Sequence, residues 1–322
     1  MLFAISKIII KPFQLVLLLG LMLLNSCHSS NNKDDFKITN FSVKGLDSLH
    51  KALDGEIKEQ PNAIWPLFHR AQLFVALKDT NNALADLETA LQKDTTKEQI
   101  YLYYAKLNED HAIITKAVNA YKRVLQLNVK NTQALLGLGR IYYHIQNRDE
   151  SFKYLNKAIE IDQYAAEAYY YRGLNFKELG MTENALKSLQ TAVSVNNRYY
   201  EAYMQLGLIN SLTKKPIAAA YYENAIRINP ADPRAFFSRG YYFQTVDSTA
   251  LAIKDYLEAI KREPGDKHAQ YNLAFNYYTQ KNYPKALEHF SLAYQLDSTF
   301  EYAKSGIDSC NFMMHKPINK RK

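Results

Sequence analysis

AYYYRGLNFKELGMTENALKSLQTAVSVN, residues 168–196, holds two helix-length stretches around a short polar break. Slid along the chain, the same pattern returns. A small residue recurs at Ala71, Ala105, Gly139, Gly173, Gly207, Gly240 and Ala274, in steps of 34 residues except for one of 33. A second small residue follows each, at Ala83, Ala117, Ser151, Ala185, Ala218, Ala252 and Ala286. Four residues later stands a large one: Leu87, Tyr121, Leu155, Leu189, Tyr222, Tyr256 or Phe290. Three further on come Ala90, Val124, Ala158, Ala192, Ala225, Ala259 and Ala293. A fixed period of this length is the signature of a repeat architecture.

The spacing has a physical reading. A small residue on a first helix lets a second helix approach closely, and the large residue fills the gap between them. Pro61, Pro230 and Pro264 fall at the ends of units, where a helix must stop. Pro216, Pro233 and Pro284 fit first-turn positions, where the missing N–H costs nothing. The short step lies around Lys214-Lys215-Pro216, and a one-residue deletion in that turn accounts for it. No segment alternates like a strand bounded by turn residues.

This register resembles the tetratricopeptide repeat, whose unit carries an aromatic, Leu-Gly, Tyr, Ala, Phe, Ala and Pro in phase over residues 64–299. The resemblance implies an all-α fold, a right-handed superhelical solenoid of about seven helix-turn-helix repeats. One unit cannot bury its apolar face alone, so neighbours stack and the ends need caps. The expected organisation is a capping helix at 46–60, seven repeats over 61–299, a second capping helix at 300–315 and a basic tail at 316–322.

The start of the chain sets the compartment. Residues 1–26 carry Lys7 and Lys11 and an uncharged run from Phe13 to Leu24, the length of a signal-peptide core. Leu24-Asn25-Ser26-Cys27 resembles the bacterial lipobox, with Asn25 an uncommon choice at its position. That resemblance implies cleavage before Cys27 and lipid on its sulfur; two or more acyl chains anchor a protein stably where one does not. An uncleaved anchor with a chance cysteine is the competing reading. Residues 27–45 read as a tether too polar to fold. Within it Lys33-Asp34-Asp35 is either solvated linker or the short Lys-plus-acidic signal that some lipoproteins use for surface display. The expected location is the outer membrane, facing the periplasm or the exterior.

Composition narrows the function. The net charge of +8 falls to +6 without the two leader lysines. An exported, anchored protein of that charge does not meet the genome, so no nucleic-acid partner is expected. With Cys27 lipidated, Cys310 has no disulfide partner and reads as a small buried thiol or, less simply, a reactive one. Gly137-Leu138-Gly139 lacks a dinucleotide loop's third glycine, and there is no phosphate-binding loop, Gly-x-Ser-x-Gly elbow or His-Glu-x-x-His helix. The histidines are scattered, without a zinc ligand set. No catalytic residue, metal or cofactor is expected, and the chain reads as a non-enzymatic scaffold.

By family analogy, partners bind along the first helices, at the second, fifth, ninth and twelfth positions of each unit. These include Lys106, Arg140 and Tyr143 with His144 beside it, Tyr170 and Lys177, Phe237 and Tyr241, and Tyr271, Phe275 and Tyr278. Arg140 and Lys177 are candidate anchors for a partner's carboxylate. The aromatic group near the C-terminus is either a binding patch or core covered by the last helix. The leading expectation is an envelope adaptor that holds a peptide segment or protein partner, in secretion, motility or wall-enzyme control. Surface glycan or nutrient capture is the alternative, disfavoured because the repeats follow one another without an inserted ligand-binding region.

Overall fold

The computed structural model describes residues 43–315. Cys27, the leader, the tether up to residue 42 and the tail at 316–322 lie outside them. The described residues form helices and no strand. After α1 (Val43–Glu59) come the pairs α2 (Trp65–Ala76) and α3 (Thr80–Lys93), then α4 (Glu98–Asp110) and α5 (Ile114–Leu127). The third and fourth pairs are α6 (Thr132–His144) with α7 (Arg148–Ile161), and α8 (Ala166–Glu178) with α9 (Thr182–Val195). The fifth and sixth are α10 (Tyr200–Leu212) with α11 (Ile217–Ile228), and α12 (Pro233–Thr245) with α13 (Thr249–Arg262). The seventh is α14 (Lys267–Thr279) with α15 (Tyr283–Leu296), and α16 (Glu301–His315) follows. Among the described residues no helix is long and apolar enough to cross a membrane.

The chain divides into two compact units at Ala134 and Leu135, within α6. In the first, α1 packs on α2, α2 on α3, α3 on α4 and α4 on α5. In the second, each helix from α8 to α16 packs on the one before it, and alternate helices from α10 to α16 also touch.

The periodic small and large residues form the seams of these pairs. All seven second-helix small residues, from Ala83 to Ala286, are buried, as are all seven large residues from Leu87 to Phe290. Gly173 and Gly207 show why small size matters. A Cβ on Gly173 would lie 2.8 Å from Leu189 Cγ, and one on Gly207 would lie 2.6 Å from the Tyr222 ring. Ser151 replaces alanine without penalty because its hydroxyl donates to the Gly139 carbonyl at 2.8 Å and accepts from Asn175 Nδ2 at 2.8 Å. The last helix repeats the device out of phase: Gly306 sits where a Cβ would meet the Phe290 ring at 2.7 Å. Ala303 and Cys310 are buried on the same helix, and Cys310 is a free thiol.

The turn inside each repeat is a Schellman motif. The amide six residues into the turn bonds back to the first carbonyl, as in Asp79 to Phe74, Met181 to Phe176 and Asn282 to Tyr277, at 2.8–2.9 Å. Each motif has a residue with positive φ seven positions after the first small residue: Lys78, Ala112, Gln146, Gly180, Lys214, Asp247 and Lys281. Only one of the seven is the glycine that this conformation favours. Ala112→Gly is therefore expected to stabilise by about 1 kcal/mol and Gly180→Ala to destabilise by about 1 kcal/mol. Thermal denaturation of the two variants checks both signs.

The short repeat keeps this turn. Lys214 retains positive φ, and the Lys215 amide bonds to the Asn210 carbonyl at 3.0 Å. The missing residue comes instead from the start of α11, which has 12 residues where α9 and α13 have 14. Pro216 caps α11 rather than standing in its first turn. Pro233 and Pro284 do occupy first-turn positions.

Candidate interaction surface

In the first unit Lys106 is exposed on α4. The other candidate residues lie in the second unit, and the structure sorts them into three groups.

The first group is an aromatic cluster on α6, α8 and the start of α10. Tyr143 lies 5.5 Å from Tyr171 between ring centroids, and His144 lies 5.9 Å from the same ring. Tyr170 touches Tyr171 at 5.2 Å and Tyr199 at 5.0 Å. Tyr171 and Tyr199 were not among the positions expected from family analogy. Tyr171 follows Tyr170 directly, and Tyr199 caps α10; the runs Tyr169-Tyr170-Tyr171 and Tyr199-Tyr200 are the signal that marks them.

The electrostatics of the cluster favour the neutral phenols of Tyr143, Tyr170 and Tyr199. Burial and the Glu201 charge push Tyr170 up to about 12. Burial and the neighbouring Glu178 raise Tyr143, and burial with Glu167 raises Tyr199. The Tyr143 hydroxyl donates to Glu178 at 2.8 Å, and Arg148 Nη2 donates to the other oxygen at 2.8 Å. Those two donors hold Glu178 below its ordinary value. The surface thus offers ring faces, neutral hydroxyls and paired charges.

The second group concerns the two expected carboxylate anchors. Arg140 is not free: it donates to Glu167 of the next repeat, itself a groove position. A one-repeat step brings the two side chains together, which the linear spacing alone did not display. Lys177 Nζ donates to the neutral Gln205 Oε1 at 2.8 Å.

The third group is the C-terminal aromatic set. Tyr271 packs against Phe290, Phe300 and Tyr302 at 5.5, 5.3 and 6.4 Å. It is covered by the segment leading into α16. Tyr278 makes an edge contact with Tyr283 and packs on the Phe290 cluster. Phe237 lies edge-on to the buried Tyr256 ring and belongs to that core. Two residues remain outward: Tyr241 at 51% and Phe275 at 39% exposure. The covering alternative therefore describes Tyr271, Tyr278 packs against its own helix pair, and the open patch reduces to Tyr241 and Phe275.

Among the described residues, no group of three or more His, Cys, Asp or Glu side chains is placed to hold a metal ion. The surface can bind by contact area and hydrogen bonding. Tyrosine suits that work because it offers a large amphipathic face at low conformational cost.

Two tetratricopeptide repeat models match the chain, one over residues 114–168 and 247–299 and the other over residues 167–195. Human tetratricopeptide repeat protein 6 is 24% identical over 190 residues, 58% of this chain and 36% of the relative. This chain spans less than half the length of the curated relatives it matches. Among solved structures, one similar fold is YrrB, described as a TPR protein with an unusual peptide-binding site. It aligns with TM-score 0.53 and 21% identity, over 60% of this chain and all of that one. Another is pilF of Pseudomonas aeruginosa, with TM-score 0.57 and 15% identity over 66% of this chain and 97% of that one. At these identities the structural likeness speaks for the fold alone. Repeats of this kind build scaffolds suited to protein–protein interaction and peptide binding. With the seven-fold spacing, the helix pairs and these matches together, the chain belongs to the tetratricopeptide repeat family.

Proposed function

We propose that this protein is a non-enzymatic adaptor of the bacterial envelope, tethered by lipid on Cys27, that captures a peptide segment of a partner protein on the first-helix face of its second unit. One observation carries the binding part: Tyr143, His144, Tyr170, Tyr171 and Tyr199 gather from three successive repeats into one cluster. A surface of rings crossing several repeats favours an extended chain over a compact ligand, because each repeat adds contact along one line. Tyrosine-rich centres are where binding energy concentrates in interfaces. The peptide-binding site named for YrrB adds support by analogy. The envelope part rests on Leu24-Asn25-Ser26-Cys27 and the polar stretch after it.

The test is affinity purification from crosslinked, detergent-solubilised envelopes, read by mass spectrometry. The full chain is expected to recover a stoichiometric partner. A Tyr143→Ala, Tyr170→Ala double variant is expected to lose that partner at least tenfold while keeping its helical circular dichroism. Cys27→Ala is expected to leave the membrane fraction and lose incorporated palmitate. Undiminished recovery by the double variant would remove the tyrosine cluster from the function. Palmitate incorporation unchanged by Cys27→Ala would remove the anchor.

A further inference from the structure

One arginine position recurs on the opposite side of the first helices. Arg70, Arg172 and Arg239 each stand one residue before the first small residue, at Ala71, Gly173 and Gly240. At 100° per residue this position is turned away from the tyrosine-bearing groove positions. Each guanidinium reaches two neighbouring helices, through one partner 16 residues ahead and one 16 residues back. Arg70 donates twice to Asp86 at 2.7 Å and once to Asp54 at 2.6 Å. Arg239 donates twice to Asp255 at 2.7 Å and also pairs with Glu223. These are three-helix clips, each with two carboxylates around one cation.

Arg172 occupies the same place with neither carboxylate. Sixteen residues ahead stands Ser188, whose Oγ accepts from Nε at 3.3 Å; sixteen back stands Asn156, whose Oδ1 accepts from Nη1 at 3.5 Å. Both bonds are long. The guanidinium also lies over the Tyr169 ring at 5.0 Å. It is half-buried, and burial holds its pKa below the ordinary arginine value with no carboxylate to offset it. Within one chain, two equivalent sites supply their own anions and the third supplies a hydroxyl and an amide.

We propose that Arg172, with Ser188 and Asn156, is a docking point for an aspartate or glutamate side chain of a protein partner, on the face of α8 turned away from the tyrosine cluster. The incoming carboxylate would take the place that Asp86 and Asp255 hold in the first and sixth repeats. Bidentate recognition is what the planar guanidinium provides and what a lone acidic side chain needs. The hydroxyl of Ser188 and the amide of Asn156 supply further donors once they rotate. This surface is separate from the tyrosine cluster, so the adaptor has two faces for contact.

The test uses the full chain in detergent and a fluorescein-labelled hexaglutamate peptide, read by fluorescence polarisation. Wild type is expected to bind saturably, with a hexalysine peptide giving no binding. Ser188→Asp installs the missing internal carboxylate. It is expected to weaken peptide binding at least tenfold and to raise the melting temperature. Arg172→Gln is expected to lose binding to the same degree, which keeps the test open should Ser188→Asp fold poorly. Tyr143→Ala with Tyr170→Ala is expected to leave this binding unchanged, so the two faces fail independently. Unchanged affinity in Arg172→Gln would overturn the proposal. Displacement of the peptide by millimolar inorganic phosphate but not by acetate would overturn it too, assigning the cation to phosphate.

Discussion

Asp255→Ala is expected to destabilise the second unit by about 3–5 kcal/mol, the cost of leaving one half of a buried ion pair behind. Asp255 is 2% exposed and Arg239 15% exposed, so the abandoned guanidinium has little access to water. Its other partner, Glu223, is 64% exposed and contributes in the weak manner of surface pairs. Replacing both members, Arg239→Met with Asp255→Leu, is expected to recover most of the loss, because an apolar pair of similar size removes the desolvation cost on both sides. Chemical denaturation followed by circular dichroism reads the size. Amide exchange in α12 and α13 shows whether the loss sits at the clip. A loss under about 1 kcal/mol for Asp255→Ala would mean that water reaches the site and replaces the carboxylate.

Gly207→Ala is expected to destabilise by about 2 kcal/mol net, while Gly55→Ala stabilises by about 0.5–1 kcal/mol. Both glycines lie inside helices, and on propensity alone both changes would help. They differ in what a new methyl meets. At Gly55 there is nothing within 4 Å. At Gly207 three atoms of the Tyr222 ring lie within 2.8 Å, and that ring is buried and rigid. A flexible leucine, as at Gly139 against Leu155, has more freedom to yield. Thermal melts of the two variants should therefore move in opposite directions. A gain in both would show that α10 and α11 can slide apart cheaply.

The repeat was legible because its signal is steric and therefore linear. Small residues must recur wherever two helices approach, and they do so at a fixed interval that composition cannot hide. The positive-φ residues were not legible in the same way. Lys78, Gln146 and Lys281 look like ordinary turn polar residues, and only the backbone geometry distinguishes them. The tyrosine cluster was half legible. Tyr143, His144 and Tyr170 followed from family analogy, whereas Tyr199 belongs to no groove position and joins only because α10 begins beside Tyr170.

Charge pairing was the least legible feature. Arg140 reads in sequence as a free cation, yet Glu167 on the next first helix occupies it. The clips of Arg70 and Arg239 depend on residues 16 positions away in both directions, a spacing that has meaning only once three helices are stacked. By itself, the sequence determined the helix pairs, their number and the packing seam, because excluded volume at close helix contacts leaves a periodic trace. Only the tertiary structure decided which aromatic rings stay open and which cations keep a free face. Those outcomes turn on neighbours from adjacent repeats, and on the last segment folding back over Tyr271, where distance in space no longer follows distance along the chain.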